Sequence, residues 1–288
     1  MLMKPDQHAI KTIVRMALFE DAPWGDLTSE ALLPADLQTS AQLVAREEGV
    51  LCGEDLFTSA MSETGPVAVN FLKHDSDSFS AADVLAQLSG PAHSILKAER
   101  VALNFVQRLS GIATLTAKYV AEAAGTKARI VDTRKTTPGL RLFERYAVRC
   151  GGGLNHRFSL SDALLAKDNH LAALRSSRGE DLTTDLRAAF QGLSHTTHIE
   201  VEVDELDQIE PILAAGIDTI MLDNFSIEDL RAGVRQVAGR AHVEASGGIS
   251  LERIREIAST GVDLISVGAL THSVRSIDLG LDFPKPSS

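Results

Sequence analysis

The chain has 288 residues, of which 44% are hydrophobic and 23% charged. These values are typical of a globular protein and exclude a disordered, collagen-like or coiled-coil chain; the length suits one large or two ordinary domains. The formal net charge of −11 argues at first against a partner rich in phosphates. The charge is segregated, however. Arg100 to Arg175 holds 13 basic and 5 acidic residues, a net of +8, and the rest of the chain nets −19.

The cysteines and the N-terminal residues indicate in which cellular compartment the protein is expected. Cys52 and Cys150 are far apart and make no disulfide framework, so we expect inert thiols in a reducing compartment. Charges are spread through residues 1–21, which excludes a secretory signal there. No window reaches the roughly 18 consecutive apolar residues of a membrane span. A cytoplasmic protein is therefore expected.

The N-terminal part of the chain mixes helices and strands. Residues 6–20 predict an amphipathic helix, and residues 21–33 are rich in turn and capping residues. Between residues 94 and 125 apolar side chains recur at intervals of three, four or seven, which predicts a long helix with one buried face. Strand-like runs lie between the two helices, at 41–47, 67–74 and 83–90.

From about residue 126, short apolar runs alternate with helical stretches. The last four runs begin near residues 198, 219, 242 and 264, a spacing of one βα unit, which predicts a parallel sheet. An open doubly wound sheet would carry G-x-G-x-x-G after its first strand, and residues 128–139 lack it. A (β/α) barrel is therefore favoured, with closure left open. The six predicted strands are 128–133, 162–168, 198–203, 219–224, 242–246 and 264–269.

Charged side chains and glycines cluster where these strands end, which is where such folds bind ligands. Basic residues lie at or between the ends of the first two strands, and Glu200 and Glu202 lie on the third. Two glycine-bearing turns, at 246–248 and 267–269, follow the last two strands. The basic residues are Arg134, Lys135, Arg157 and Lys167, and Asp223 lies at the end of the fourth strand.

This set of residues fits anionic substrates. Arg and Lys neutralise carboxylate or phosphate oxygens, and glycine turns near the last barrel strands bind phosphate through backbone N–H groups. Glu202 and Asp223 suit ribose hydroxyls or a Mg²⁺ ion that accompanies phosphates. The sequence therefore predicts a doubly anionic substrate pair with a sugar phosphate between them.

Simpler explanations stay open for each feature taken alone. A single loop Arg or Lys is usually a solvated charge, and the glycines at 151–153 suit a flexible turn. Glu200 and Glu202 point to one face of their strand and could serve solubility at a sheet edge. The histidines at 170, 195 and 198 lack ligands at zinc spacing, so no zinc site is expected.

Several motifs resemble one family. The stretch GTKARIVDTRKTTPGLRLFERYAVRCGGGLNHRFSLSDALLAKDNHL closely resembles the carboxylating nicotinate-nucleotide pyrophosphorylases, or quinolinate phosphoribosyltransferases. The resemblance continues through ALNFVQRLSGIATLT, IEVEVDELDQIEPILAAGIDTIMLDNF, VEASGGI and SVGALTHS, and upstream through EDAPWGDLTSEALL and LVAREEGVLCGEDL. It covers nearly the whole chain, more weakly over residues 60–90 and 172–197.

The resemblance implies an N-terminal α/β sandwich domain and an incomplete (β/α) barrel, in a homodimer. The expected boundaries are 1–115, joined by the tail 273–288, and 116–272. The implied reaction transfers the phosphoribosyl group of phosphoribosyl pyrophosphate to quinolinate. It releases carbon dioxide and pyrophosphate and forms nicotinate mononucleotide for NAD biosynthesis. Neither nucleic acid nor membrane is an expected partner.

The resemblance also assigns site residues. Lys135, Lys167, Glu202 and Asp223 are implied to be catalytic, with Glu202 and Asp223 also holding Mg²⁺. Arg100 is implied to reach the neighbouring subunit's site. The substrate-binding residues implied are Arg100, Arg134, Lys135, His156, Arg157, Lys167, Glu202, Asp223, Ser246, Gly247, Gly248, Gly268 and His272.

Three competing interpretations remain at this stage. A molybdenum-uptake-associated homologue shares the fold, although the intact Lys167-Asp168-Asn169-His170 motif favours the biosynthetic enzyme. Lys135 or Lys167 could act as a Schiff-base nucleophile, as in barrel aldolases. The basic segment could instead bind nucleic acid, but aromatic residues make up only 5% of the chain, too few for the stacking that single strands need.

Overall fold

A computed structural model describes residues 4–178 and 181–283 of the chain. Its strands form a four-stranded sheet, a six-stranded sheet and a two-stranded ribbon. In chain order the strands are β1 (Gln38–Ala45), β2 (Gly49–Val50), β3 (Ala68–Phe71), β4 (Ser78–Phe79), β5 (Val84–Pro91), β6 (Arg129–Val131), β7 (Leu164–Ala166), β8 (Ile199–Val203), β9 (Thr219–Asp223), β10 (His242–Ser246), β11 (Leu264–Ser266) and β12 (Leu279–Asp282).

The helices are spread over the same range. Two 3₁₀ turns, Leu206–Gln208 and Leu251–Arg253, lead directly into the helices Ile209–Ala214 and Ile254–Ala258. The helices are α1 (Gln7–Asp21), α2 (Leu27–Leu32), α3 (Glu54–Thr64), α4 (Ala92–Glu122), α5 (Arg141–Cys150), α6 (Asp168–Arg178), α7 (Leu182–Phe190), α8 (Ile209–Ala214), α9 (Ile227–Val237), α10 (Ile254–Ala258) and α11 (Ala269–His272). Among the described residues, none of these helices is both long and apolar enough to cross a bilayer.

The chain divides into two compact units. One comprises the described parts of 1–117, 137–152 and 273–288, and the other comprises 118–136 and 153–272. The expected boundary lay at 115/116, and the segment 137–152 was expected within the barrel domain, whereas its contacts group it with the N-terminal unit. Of the expected tail 273–288, residues 284–288 lie outside the described residues, as do residues 1–3 of the N-terminal domain.

The N-terminal unit is built on an antiparallel sheet with the strand order β12-β1-β5-β3. The predicted helix at 6–20 is confirmed as α1, whose first N–H groups are capped by the Asp6 carboxylate, and its buried residues are Ile10 and Val14. β1 pairs with β5 from Gln38 opposite Pro91 onward, and β12 pairs with the other edge of β1. The expected mixed α/β N-terminal domain is confirmed.

α5 was not among the predicted helices, although its apolar side chains recur at helical spacing; its buried face also includes charged residues. The Glu144 side chain is fully buried and accepts hydrogen bonds from Arg108 (2.8 Å) and from the backbone N–H of Thr137 (3.0 Å). These contacts join α5 to α4 within the N-terminal unit. A buried carboxylate needs such partners, since without them its desolvation would cost several kcal/mol.

The second unit contains the six-stranded parallel sheet, in the order β6-β11-β10-β9-β8-β7. All six strands predicted from the βα spacing are present, so the expected parallel barrel architecture is confirmed. β6 and β7 are the two end strands of this order. Residue Leu154 bridges Val131 in parallel, so the chain that precedes His156 runs beside β6.

Candidate active site

A cavity of about 570 Å³ lies at the C-terminal ends of the parallel strands. It is the edge at which a barrel of this kind places its ligands. Leu165, Met221 and Ser266 contribute to its wall, together with Thr133 and Asn224. Nine of the site residues expected from the sequence line this one cavity: Arg134, Lys135, His156, Arg157, Lys167, Asp223, Ser246, Gly247 and Gly248.

Asp132 holds the loop that carries His156 and Arg157. Its buried carboxylate accepts the Asn155 side-chain N–H at 2.6 Å and the His156 backbone N–H at 2.7 Å. The Asp132 N–H in turn donates to the carbonyl of Leu154 at 3.1 Å. Because Asp132 directly follows β6, these bonds fix the loop against the end of that strand. Sequence reasoning missed this residue, although it opens the DTRKT motif.

Two guanidinium groups share the cavity. Burial lowers the pKa of Arg157, and the nearby positive charge of Arg134 lowers it further. One Nη of Arg157 donates to the carbonyl of Ala163 at 2.9 Å, which orients the side chain. Two cations held close together repel each other, and an anion bound between them relieves that repulsion. The geometry therefore suits a ligand with more than one negative charge.

The acidic residues lie at the end of β8 and β9. The Glu202 carboxylate accepts from the Lys167 ammonium, and the Asp223 carboxylate accepts from the Asn224 side chain at 2.7 Å. Asp223 and Asn224 also line an adjacent cavity of about 510 Å³, and Glu202 lines that second cavity with them. The ion pair holds the Lys167 side chain against the end of β8.

Glycine shapes the turn after β10. Gly247 has a φ of +86° and Gly248 a φ of +57°, both in the left-handed region. A Cβ on Gly247 would collide with the side chain of Asn224. The backbone N–H of Asn224 donates to the Ser246 carbonyl at 3.0 Å. A turn of this shape leaves backbone N–H groups available to an anion, as in other phosphate-binding turns.

A second glycine lets two expected site residues approach each other. A Cβ on Gly268 would lie 3.0 Å from Lys135 Cδ and 3.0 Å from His272 Nε2. The Thr271 hydroxyl donates to the Lys135 carbonyl at 2.6 Å, which ties the two segments together. Gly268 and His272 thus lie beside Lys135. Arg100 is exposed on α4 in the N-terminal unit.

Glu200 and Glu244 are buried charged residues close to the cavity. Glu200 is 3% exposed and Glu244 is 1% exposed. The suggestion that Glu200 serves solubility at a sheet edge is wrong, because β8 lies between β9 and β7 and the side chain is buried. Sequence reasoning missed Glu244, which resembles any polar strand residue until its three-dimensional neighbours are known.

Two family models match the chain. The N-terminal domain of quinolinate phosphoribosyl transferase matches residues 26–110, and the C-terminal domain matches residues 112–282. The chain is 41% identical over 274 residues to a probable carboxylating nicotinate-nucleotide pyrophosphorylase of Bacillus subtilis, covering 95% of this chain and 93% of that protein. It is also 41% identical over 289 residues to the carboxylating nicotinate-nucleotide pyrophosphorylase of Mycobacterium leprae, covering 98% and 100%.

Solved structures give the same result. The nicotinate-nucleotide pyrophosphorylase of Francisella tularensis superposes with a TM-score of 0.91 at 39% identity, covering 98% of this chain and 99% of that one. Fold and cavity together define an enzyme that binds anionic substrates at the end of a parallel barrel. The chain belongs to the quinolinate phosphoribosyltransferase family.

Proposed function

We propose that the 570 Å³ cavity is the active site for the family's reaction, with the residue roles given below. The chain joins quinolinate to phosphoribosyl pyrophosphate, releasing carbon dioxide and pyrophosphate, and so forms nicotinate mononucleotide for NAD biosynthesis. The observation that supports the placement best is the pair Arg134 and Arg157, two close guanidinium groups in one cavity with the Gly247–Gly248 turn.

The arginines and His156 form the quinolinate end of the cavity. Quinolinate carries two adjacent carboxylates, and a planar guanidinium binds a carboxylate through two parallel hydrogen bonds. Arg134 and Arg157 clamp these carboxylates, and His156 forms the wall beside them. Fixing both carboxylates orients the ring nitrogen toward the sugar, which lowers the entropic cost of the attack.

The lysines and the glycine turns form the phosphate end. Lys135 and Lys167 neutralise pyrophosphate oxygens as negative charge builds on the leaving group. The turn at Ser246, Gly247 and Gly248 binds the 5′-phosphate through backbone N–H groups, which its left-handed glycines expose. Gly268 and His272 complete this end beside Lys135.

Glu202 and Asp223 fit a Mg²⁺ ion. Both carboxylates line a polar cavity next to the substrate cavity, and Mg²⁺ is typically bound by one or two carboxylates together with substrate phosphates. A bound Mg²⁺ would supply charge neutralisation at the pyrophosphate. Glu202 and Asp223 also face the ribose, where their negative charge stabilises the positive charge that develops at the anomeric carbon.

The chemistry needs no covalent enzyme intermediate. The pyridine nitrogen of quinolinate attacks the anomeric carbon as the bond to pyrophosphate breaks. The 2-carboxylate then leaves as carbon dioxide, and its electron pair stays at carbon 2 beside the cationic ring nitrogen. A proton adds at carbon 2 to give nicotinate mononucleotide. The enzyme contributes orientation and electrostatic stabilisation.

The proposal includes a homodimer, in the cytoplasm, in which Arg100 completes the neighbouring subunit's site. Large apolar side chains are exposed on and between α1 and α2, and the most exposed are Trp24 (96% exposed) and Leu27 (82% exposed). An exposed apolar group of this kind is typical of a protein–protein contact surface. Arg100 supplies the additional cation that a dianionic substrate favours.

The decisive assay combines quinolinate, phosphoribosyl pyrophosphate and Mg²⁺ and follows nicotinate mononucleotide by liquid chromatography. We expect product that depends on all three components, with release of one carbon dioxide per turnover. Nicotinate in place of quinolinate is the matched control and should give little product. Equal turnover of nicotinate, or no product from quinolinate, contradicts the proposal.

A further inference from the structure

Beside the proposed substrate cavity lies a buried cluster that joins His156 to two carboxyl groups with no role in the reaction as described. It consists of His156, Glu200 on β8 and Glu244 on β10. One ring nitrogen and one oxygen from each carboxyl group all lie within 4.8 Å of one another. The His156 Nε2 atom is 3.0 Å from a Glu200 oxygen and 3.6 Å from a Glu244 oxygen.

The two carboxyl groups are buried against the same ring nitrogen of His156. Two ionised carboxylates buried this close together repel strongly, so one of them is held neutral. Burial, followed by the negative charge of Glu200, raises the pKa of Glu244 to about 8. The protonated form of Glu244 is therefore favoured at neutral pH.

The His156 ring is held on both sides. The backbone N–H of Arg157 donates to Nδ1 at 2.7 Å, so in this arrangement the ring proton is on Nε2 and points at Glu200. Both ring nitrogens are engaged inside the protein. A ring bound in this way acts on the substrate through what it holds in place, and it holds the backbone of Arg157.

We propose that Glu200 and Glu244 are positioning residues for the substrate site. Glu200 and Glu244 hold the Nε2 side of the His156 ring, and the Nδ1 atom of the ring accepts the backbone N–H of Arg157 at the wall of the cavity. This inference rests on the proposed function, because it assigns Arg157 to quinolinate. It adds two residues that contact neither substrate to the set that determines quinolinate binding.

Substitution of Glu244 tests the chain of contacts. Glu244→Leu removes the carboxyl group that lies 3.6 Å from His156 Nε2, and we expect the KM for quinolinate to rise by about tenfold while the KM for phosphoribosyl pyrophosphate changes less than twofold. Glu244→Gln should rescue the KM, because an amide of the same size keeps a polar side chain beside the ring. Glu228→Leu, the same substitution at an exposed position on α9, should leave both constants unchanged.

The outcomes separate the alternatives. An unchanged quinolinate KM in Glu244→Leu overturns the proposal, as does a Glu244→Gln variant as impaired as Glu244→Leu. If Glu244→Leu does not fold, Glu200→Gln is compared with Glu244→Gln: the proposal requires that only the Glu200 variant raises the quinolinate KM, because only Glu200 lies within hydrogen-bond distance of the His156 ring.

A readout without turnover separates this inference from the proposed function. In ¹⁵N-histidine-labelled protein, the Nε2–H signal of His156, identified by its loss in His156→Asn, should be protected from exchange. Glu200→Gln should weaken that protection and Glu244→Gln should keep it. A wild-type protein with this signal but no activity contradicts the proposed function alone, whereas loss of the signal in Glu244→Gln contradicts the positioning role.

Discussion

The buried carboxylate of Asp132 accepts the backbone N–H of His156 at 2.7 Å, so the end of β6 and the loop that carries two cavity residues are joined by one side chain. The other oxygen of the same carboxylate accepts from Asn155 at 2.6 Å. Asp132 has no contact role in the proposed reaction. Its position shows that the anion-binding cavity depends on a buried acidic residue.

Asp132→Ala should loosen the 155–157 loop. The backbone N–H of His156 and the Asn155 amide lose their acceptor, which costs about 1–3 kcal/mol of unfolding free energy. We expect a higher quinolinate KM as well, since Arg157 is then less well positioned. Denaturant unfolding and steady-state kinetics measure the two effects. Normal stability together with a normal KM would show that the loop is held by other contacts.

Arg134→Ala should abolish useful turnover and leave the fold intact. The guanidinium clamps a substrate carboxylate, and loss of such positioning costs about 100-fold or more in kcat/KM. The kcat/KM of Arg134→Lys should fall between those of the wild type and Arg134→Ala, because an ammonium keeps the charge and loses the paired geometry. Arg255→Ala, at an exposed ion pair with Glu122, is the matched control. Near-normal activity in Arg134→Ala contradicts the clamp.

Gly247→Ala should raise the KM for phosphoribosyl pyrophosphate more than that for quinolinate. Its Cβ would collide with Asn224, and its φ of +86° is strained for alanine. Gly239→Ala separates these two causes, because Gly239 has a φ of +75° with no atom within 4 Å of an added Cβ. Steady-state kinetics of both variants give the KM for each of the two substrates. Equal effects of the two variants would attribute the loss to backbone strain alone.

Mixed dimers test the role of Arg100. Arg100→Ala and Arg134→Ala should each be inactive as homodimers, because each damages every site. If Arg100 serves the neighbouring subunit, a mixed dimer of the two variants contains one intact site, so unfolding and refolding them together should restore activity. Each variant refolded alone is the control. Failure to recover any activity, with mixed dimers shown by mass spectrometry, argues that Arg100 serves its own subunit.

The raised pKa of Glu244 predicts that the stability of the folded chain depends on pH. Its ordinary pKa is 4.5 and its pKa in the folded chain is about 8, so the folded state binds more protons between these values. Stability from this group is therefore fully present below about pH 4.5 and is lost as the pH rises through 8. Glu244→Gln removes the proton and should flatten the fall in Tm from pH 5 to pH 9. An identical pH profile in the variant would contradict the assignment.

Much of the fold was predictable because its signals are local. The strands β8 to β11 recur at the length of one βα unit, and α1 shows its buried face as a periodic apolar pattern. Two elements lay outside these predictions. α5 has a periodic apolar face but also buries Glu144 and Arg145, whose partners a local pattern does not reveal, and β12 is ordered by pairing with β1 across more than 200 residues.

The residues of the site likewise include some that could be predicted from local sequence and some that could not. Basic residues and glycines at strand ends could be recognised from the sequence, because the ends of parallel strands meet at one edge of the sheet. The supporting residues could not. Asp132 and Glu244 have their effect through neighbours that are distant in sequence, and Glu200 changes from a candidate surface residue to a buried one only when the strand order is known.

The pairing of β12 with β1 has a consequence for synthesis on the ribosome. The N-terminal sheet needs residues 279–282, which emerge after the whole parallel-strand unit has been made. Until then, one edge of β1 lacks its partner and is open to pairing with another chain. We therefore expect nascent chains halted before β12 to depend on chaperones and to aggregate more readily than the released protein.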